Sequence, residues 1–118
     1  MSSAMVPNPT EFQILLALAA GELHGYGIMQ EVERASGGTA RLGPGTLYGA
    51  IKRMLRAGWV EQTPVGPAGG ADEDAAAVDP RRRCNYRLTR AGRKAAADAA
   101  RRLADLVSAA AQRGLISM

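Results

Sequence analysis

Aromatic residues are scarce in this chain, at 4% of 118 residues, with one Phe, one Trp and three Tyr. A hydrophobic fraction of 47% overstates the core, since Ala supplies much of it. One domain of this length can bury a single modest core, and a second subunit would help to cover it. Cysteine is limited to Cys84, which excludes an intrachain disulfide and a Cys-based zinc cluster. Nothing in the sequence asks for an oxidising compartment. Histidine is limited to His24, with no clustered partners for a metal or a catalytic base, and its reading is a helix start or packing. No HExxH, P-loop, dinucleotide glycine fingerprint or nucleophile-base-orienter set occurs, so no enzyme, cofactor or metal is expected. Long apolar runs are missing too. Phe12 to Gly21 is too short to span a bilayer, carries no Lys or Arg before it, and has Glu11 at its entrance, which speaks against a signal peptide. A cytoplasmic location without membrane contact is expected.

What the chain does have is positive charge. Its formal net charge is +4, which favours a polyanionic partner. Basic residues gather beside the wing and in Gly43 to Val60, a stretch without acidic residues in which Leu47, Ile51, Met54 and Leu55 recur at helical spacing while Thr46, Lys52, Arg53 and Arg56 fall on other sides. Pro44 suits the first helical position and Gly58 the position past the end. A short cationic helix of this kind fits a DNA major groove, although many surface helices share its pattern.

The flanking sequence gives that helix a context. Residues 1–7 read as a tail. Asn8, Pro9 and Glu11 form a helix start with a capping box, and the helix runs to about Ala20. Phe12, Ile14, Leu15, Leu16 and Leu18 cover more than one narrow face, so burial on two sides is expected. A second helix fits His24 to about Ala35, with Tyr26, Ile28, Met29 and Val32 as an inward stripe, and Thr39 to Leu42 suits a very short strand. After the third helix, Trp59 to Thr63 reads as a strand. Residues 64–80 lack hydrophobic periodicity and carry Asp72, Glu73, Asp74 and Asp79, which predicts a mobile loop. Arg81, Arg82 and Arg83 precede a returning strand, Cys84 to Leu88, and Thr89 caps a long last helix towards Gln112. In that helix Ala96, Ala99, Leu103, Leu106 and Ala110 are spaced as an a/d seam, which needs a partner: the first helix or a second copy of the chain. Self-association is the reading preferred here.

The fold class is thus mainly α with a small β-wing: a winged helix-turn-helix over 8–88, then a C-terminal dimerisation helix over 89–113 and a tail over 114–118. Several stretches carry a further resemblance: Leu23-His-Gly-Tyr-Gly27, Gly45-Thr-Leu-Tyr48, Lys52-Arg53, Gly58-Trp-Val60 and Tyr86-Arg-Leu-Thr-Arg-Ala-Gly92. On these the chain resembles the PadR-like family of bacterial winged-helix transcriptional regulators, over about Phe12 to Leu106. The resemblance implies a homodimer on a pseudo-palindromic double-stranded operator, with the third helix in the major groove and the wing near the minor groove or backbone. It implies a repressor modulated by a small molecule or another signal. The alternative is a winged-helix interaction module, antirepressor-like, without specific DNA binding.

By that resemblance Gly45 and Thr46 offer amides and a hydroxyl to a phosphate. The Tyr48 hydroxyl meets the DNA backbone, unless its ring packs against the wing instead. Lys52 and Arg53 are candidates for guanine edges, with a solvated face, or a carboxylate partner for Arg53, as the alternative. Tyr26 matches a phosphate contact, with a core role equally open, and Arg81 to Arg83 match the basic residues before the second wing strand. Phe12 and Leu15 join the last-helix seam as candidate dimerisation residues. Trp59 is the candidate wall of an effector pocket, with core packing as its other reading. Cys84 is read as structural. Departures from the family pattern are Gly49 after Tyr48, Leu55 in place of an acidic residue, Trp59 in place of a smaller aliphatic, and a long acidic wing loop. The last helix also lacks aromatics, which argues against a pocket that sandwiches planar drugs.

Overall fold

Short-range capping chemistry sets the helix boundaries. In the computed structural model, which describes residues 6–64 and 84–117, helix α1 spans Pro9–Ala19. The Asn8 side chain accepts from the Glu11 amide at 2.8 Å, and Glu11 Oε1 accepts from the Asn8 amide at 2.9 Å. This reciprocal box satisfies two of the donors that a helix start leaves open. Strand β1 is only Leu23–His24, and α2 follows at Gly25–Ala35. His24 caps α2 through Nδ1, which accepts from the Gly27 amide at 2.8 Å. Helix α3, Pro44–Ala57, opens on proline and ends at Gly58, whose φ of 79° is the left-handed conformation that glycine adopts without penalty. Strands β2 (Val60–Pro64) and β3 (Cys84–Leu88) make the wing, and α4 runs Arg90–Gln112 from its Thr89 cap.

The sheet is antiparallel in the order β1-β3-β2. Val60 faces Leu88 and Gln62 faces Tyr86 across the wing, while Leu23 faces Tyr86 on the other edge of β3. The expected strand at Thr39 to Leu42 is not formed; the short strand lies at Leu23–His24 instead. Ser36 explains the difference. Its hydroxyl accepts from the Ala40 amide at 2.9 Å, and the Thr39 hydroxyl donates to the Ser36 carbonyl at 2.8 Å. Side-chain bonds of this kind hold the backbone in a turn and compete with strand pairing.

The core gathers Ile14, Leu15 and Leu18 of α1, Ile28 and Val32 of α2, and Leu47, Ala50, Ile51 and Met54 of α3, closed by Trp59, Val60 and Tyr86. Leu55, Ala95 and Ala96 pack at its margin. Leu16 and Tyr26, both expected inside, are exposed. Tyr26 lies two residues before Ile28, and positions two apart on a helix point to different faces. Trp59 is buried and belongs to the core cluster, which agrees with its packing reading.

Helix α4 joins this body tightly at its start. The Thr89 amide donates to the Trp59 carbonyl at 3.0 Å, and the Thr89 hydroxyl donates to the Gly58 carbonyl at 2.5 Å. Gly92 is required there, because a Cβ would lie 1.8 Å from the Trp59 carbonyl oxygen. Further along, α4 leaves the body: every residue from Ala100 to Ser108 is exposed. No helix among the described residues is long and apolar enough to cross a membrane.

Candidate nucleic-acid interface

The outward face of α3 follows directly from burial of its other face. With Leu47, Ala50, Ile51 and Met54 in the core, helical geometry turns Gly45, Lys52, Arg53 and Arg56 outward, and all four are exposed. Thr46 is exposed in the first turn beside Gly45. Gly43 caps the helix without a side-chain bond, so the early amides keep no competitor from that residue. A positive helix end and a hydroxyl thus adjoin three cationic side chains on one element.

The cations are not equivalent. Lys52 and Arg56 have no ion pair among the described residues. Arg53 is tied by Nε to Glu11 Oε2 at 3.2 Å, which brings in the carboxylate alternative expected for it. Glu11 itself is a buried residue of the α1 start. Sequence reasoning did not single out Arg56 as a contact, although its position four residues after Lys52 was signal enough for the same face. Glu11 carried no such signal, since its capping role already accounted for it.

Tyr48 turns inward enough to be half-buried, and the end of its ring lies at Gly25, the start of α2. A Cβ on Gly25 would sit 2.1 Å from the Tyr48 hydroxyl oxygen. Gly25 and Tyr48 therefore fit as a pair, and the contact fixes α2 against α3. Tyr26 is exposed beside it, stacked on His24 with ring centroids 6.5 Å apart. Arg81, Arg82 and Arg83, and the acidic loop before them, lie outside the described residues.

Polar contacts stiffen the wing base. Glu22 accepts from the Thr63 hydroxyl at 2.6 Å and from the Asn85 amide group at 3.0 Å, joining the turn after α1 to both wing strands. The Thr63 bond, then the Asn85 bond, hold its carboxyl below the usual carboxylate range. Arg87 and Glu61 pair across β3 and β2 at 2.6 Å.

The candidate dimerisation residues divide into three groups by burial. Leu15 lies fully in the core and Ala99 is buried, so these two serve the single chain, while Ala96 is half-buried at the core margin. Phe12 is half-buried on α1, and Ala110 is half-buried near the end of α4. Leu103 and Leu106, by contrast, are 44% and 66% exposed. Val107, beside them, is exposed as well.

Comparison with known proteins agrees with this arrangement. A transcriptional regulator from Clostridium thermocellum shares the fold with a TM-score of 0.66 at 20% identity, covering 86% of this chain and 85% of that one. A crystal structure of a Streptococcus mutans protein shares it with a TM-score of 0.61 at 20% identity over 97% of both chains. A fifty-residue stretch is similar to an uncharacterised 37.1 kDa transposon protein of Streptomyces fradiae at 50% identity, covering 42% of this chain and 14% of that protein. The chain therefore spans only a small part of that relative's length. The model of the transcriptional regulator PadR-like family, a family of regulators and not of enzymes, matches residues 14–98. With that match over most of its length, on a winged-helix body with an outward cationic third helix, the chain belongs to the PadR-like family of transcriptional regulators.

Proposed function

We propose that the protein is a homodimeric, sequence-specific DNA-binding repressor whose affinity is modulated by a small molecule or another signal. The observation that carries the DNA-binding reading is the exposed face of α3, where Lys52 and Arg56 have no ion pair among the described residues and Arg53 points outward beside them. Groove binding uses such a face, whereas docking of a protein onto this winged helix would not require it. In this reading Gly45, Thr46 and Tyr26 contact phosphates, Lys52 and Arg53 contact base edges, and Arg56 adds to the phosphate attraction. Tyr48 holds α2 against α3 and reaches the DNA backbone only at its rim. Repression follows from occupancy, since a dimer seated on an operator excludes other proteins from it.

Support for the dimer comes from α4. Its outer half has no partner in the single chain among the described residues, and an isolated helix of roughly a dozen residues is marginal in water. A second copy would cover Leu103, Leu106 and Val107. The effector reading rests on the family resemblance, with Trp59, packed in the core, as its candidate residue.

A gel-shift with DNA from upstream of the protein's own coding sequence, across a salt series, tests the reading. Specific binding with log affinity falling by roughly 0.9 per contacted phosphate per log unit of salt is expected. An intact dimer that shows no preference over random DNA would instead favour the interaction-module reading and overturn this one.

A further inference from the structure

Glu11 does more than a cap requires. Its Oε1 accepts the Asn8 amide and closes the capping box, while Oε2 accepts the Nε–H of Arg53 at 3.2 Å, across 42 residues of sequence. Glutamine closes such a box equally well, so the negative charge is surplus to the cap. The Glu11 residue is 7% exposed, whereas the Arg53 side chain is 54% exposed. The carboxylate thus sits behind α3, and the guanidinium stands at the surface in front of it.

We propose that Glu11 is a positioning residue for base reading by Arg53, an inference that rests on the DNA-binding function above. A guanidinium is planar, and one bond at Nε to a buried acceptor fixes the orientation of that plane. The two terminal nitrogens, which form the donor fork that matches guanine O6 and N7, have no hydrogen-bond partner among the described residues. Gly49 lies one turn earlier, where a Cβ would already be 3.9 Å from Arg53 Nη1, so the glycine keeps that side of the fork clear. The Glu11 charge also offsets that of Arg53 at long range. Arg53 therefore contributes to discrimination more than to attraction, and Lys52 and Arg56 supply the attraction.

The test compares wild-type chain, Glu11→Gln, Arg53→Ala, Arg53→Lys and the Glu11→Gln/Arg53→Ala double variant. Each is titrated against a duplex enriched from a random pool by the wild-type chain and against a random duplex of equal length. Glu11→Gln keeps the cap and the thermal midpoint but lowers the preference for the enriched duplex roughly tenfold, with affinity for random DNA undiminished. Arg53→Lys, which keeps the charge and Glu11 but lacks the fork, loses the same preference. In the Arg53→Ala background, Glu11→Gln changes the preference no further. Unchanged preference in Glu11→Gln overturns the proposal. So does a uniform gain in affinity with a salt slope steeper by about one, which would make Glu11 a mere neutraliser of charge. Losses that add in the double variant also overturn it. If the wild-type chain enriches no duplex, the DNA-binding reading fails and this one with it; if the wild type discriminates and the variants match it, this one fails alone.

Discussion

At the scale of single residues, two glycines make opposite demands on a methyl group. Gly92 lies where α4 crosses the backbone of Trp59, and a Cβ would collide with a carbonyl that cannot swing aside. Gly92→Ala should cost about 2–3 kcal/mol, the usual penalty for overpacking, with loss of the Thr89 cap as α4 is pushed out. Gly49, by contrast, has helical geometry, and the nearest side-chain atom to a methyl there would be 3.9 Å away. Gly49→Ala should raise stability by ~1 kcal/mol, the ordinary helix propensity difference. Urea unfolding of both variants measures the contrast; equal effects would mean that α4 docks on Trp59 less closely than described. Both glycines were visible in the sequence, but only Gly49 could be assessed there. The crossing that makes Gly92 necessary joins segments far apart in the chain.

Elements were legible where their chemistry is local. Asn8 with Glu11, Pro44 with Gly58, and Thr89 each specified a helix end within a few residues, and the observed ends agree. Strand β1 was not legible, because two residues carry no periodicity and pair only with the free edge that β3 presents. The Arg53 tether shows the same limit at the candidate site: the basic face was readable from helical spacing, whereas the carboxylate behind it was not. Glu22, which binds β2 and β3 to the turn after α1, gives this scale a pH test. Its folded carboxyl titrates below the usual range, so its contribution is fully present above the ordinary carboxylate value and fades as pH falls through the lowered one. Stability of the wild-type chain should therefore fall more steeply than that of Glu22→Gln between about pH 5 and pH 3. Parallel profiles from chemical unfolding would show that the wing base does not depend on this carboxylate. The effect is small, since an exposed group is well screened.

For the whole molecule, the proposed dimer depends on the outer half of α4. Leu103→Glu and Leu106→Glu alter exposed positions, so each should change the stability of a single chain by less than about 0.5 kcal/mol. Across a dimer seam the same change places charge in an apolar contact. Sedimentation should then show a dimer for the wild type and a monomer for the double variant, and the thermal midpoint of the variant should cease to depend on concentration. A double variant that remains dimeric would place the interface elsewhere.

The Thr89 junction would give the proposed dimer a property of a different kind. Two hydrogen bonds and the close passage at Gly92 couple the start of α4 to the end of α3, so the two helices behave as arms of one lever. The 23 residues of α4 extend about 34 Å, comparable with one turn of B-DNA between half-sites. In a dimer joined through the outer halves of α4, a small change in crossing angle opens or closes the span between the two recognition helices as a caliper does. Anything that grips the seam, even far from the DNA, would then register as a gain or loss of fit to a fixed helical repeat.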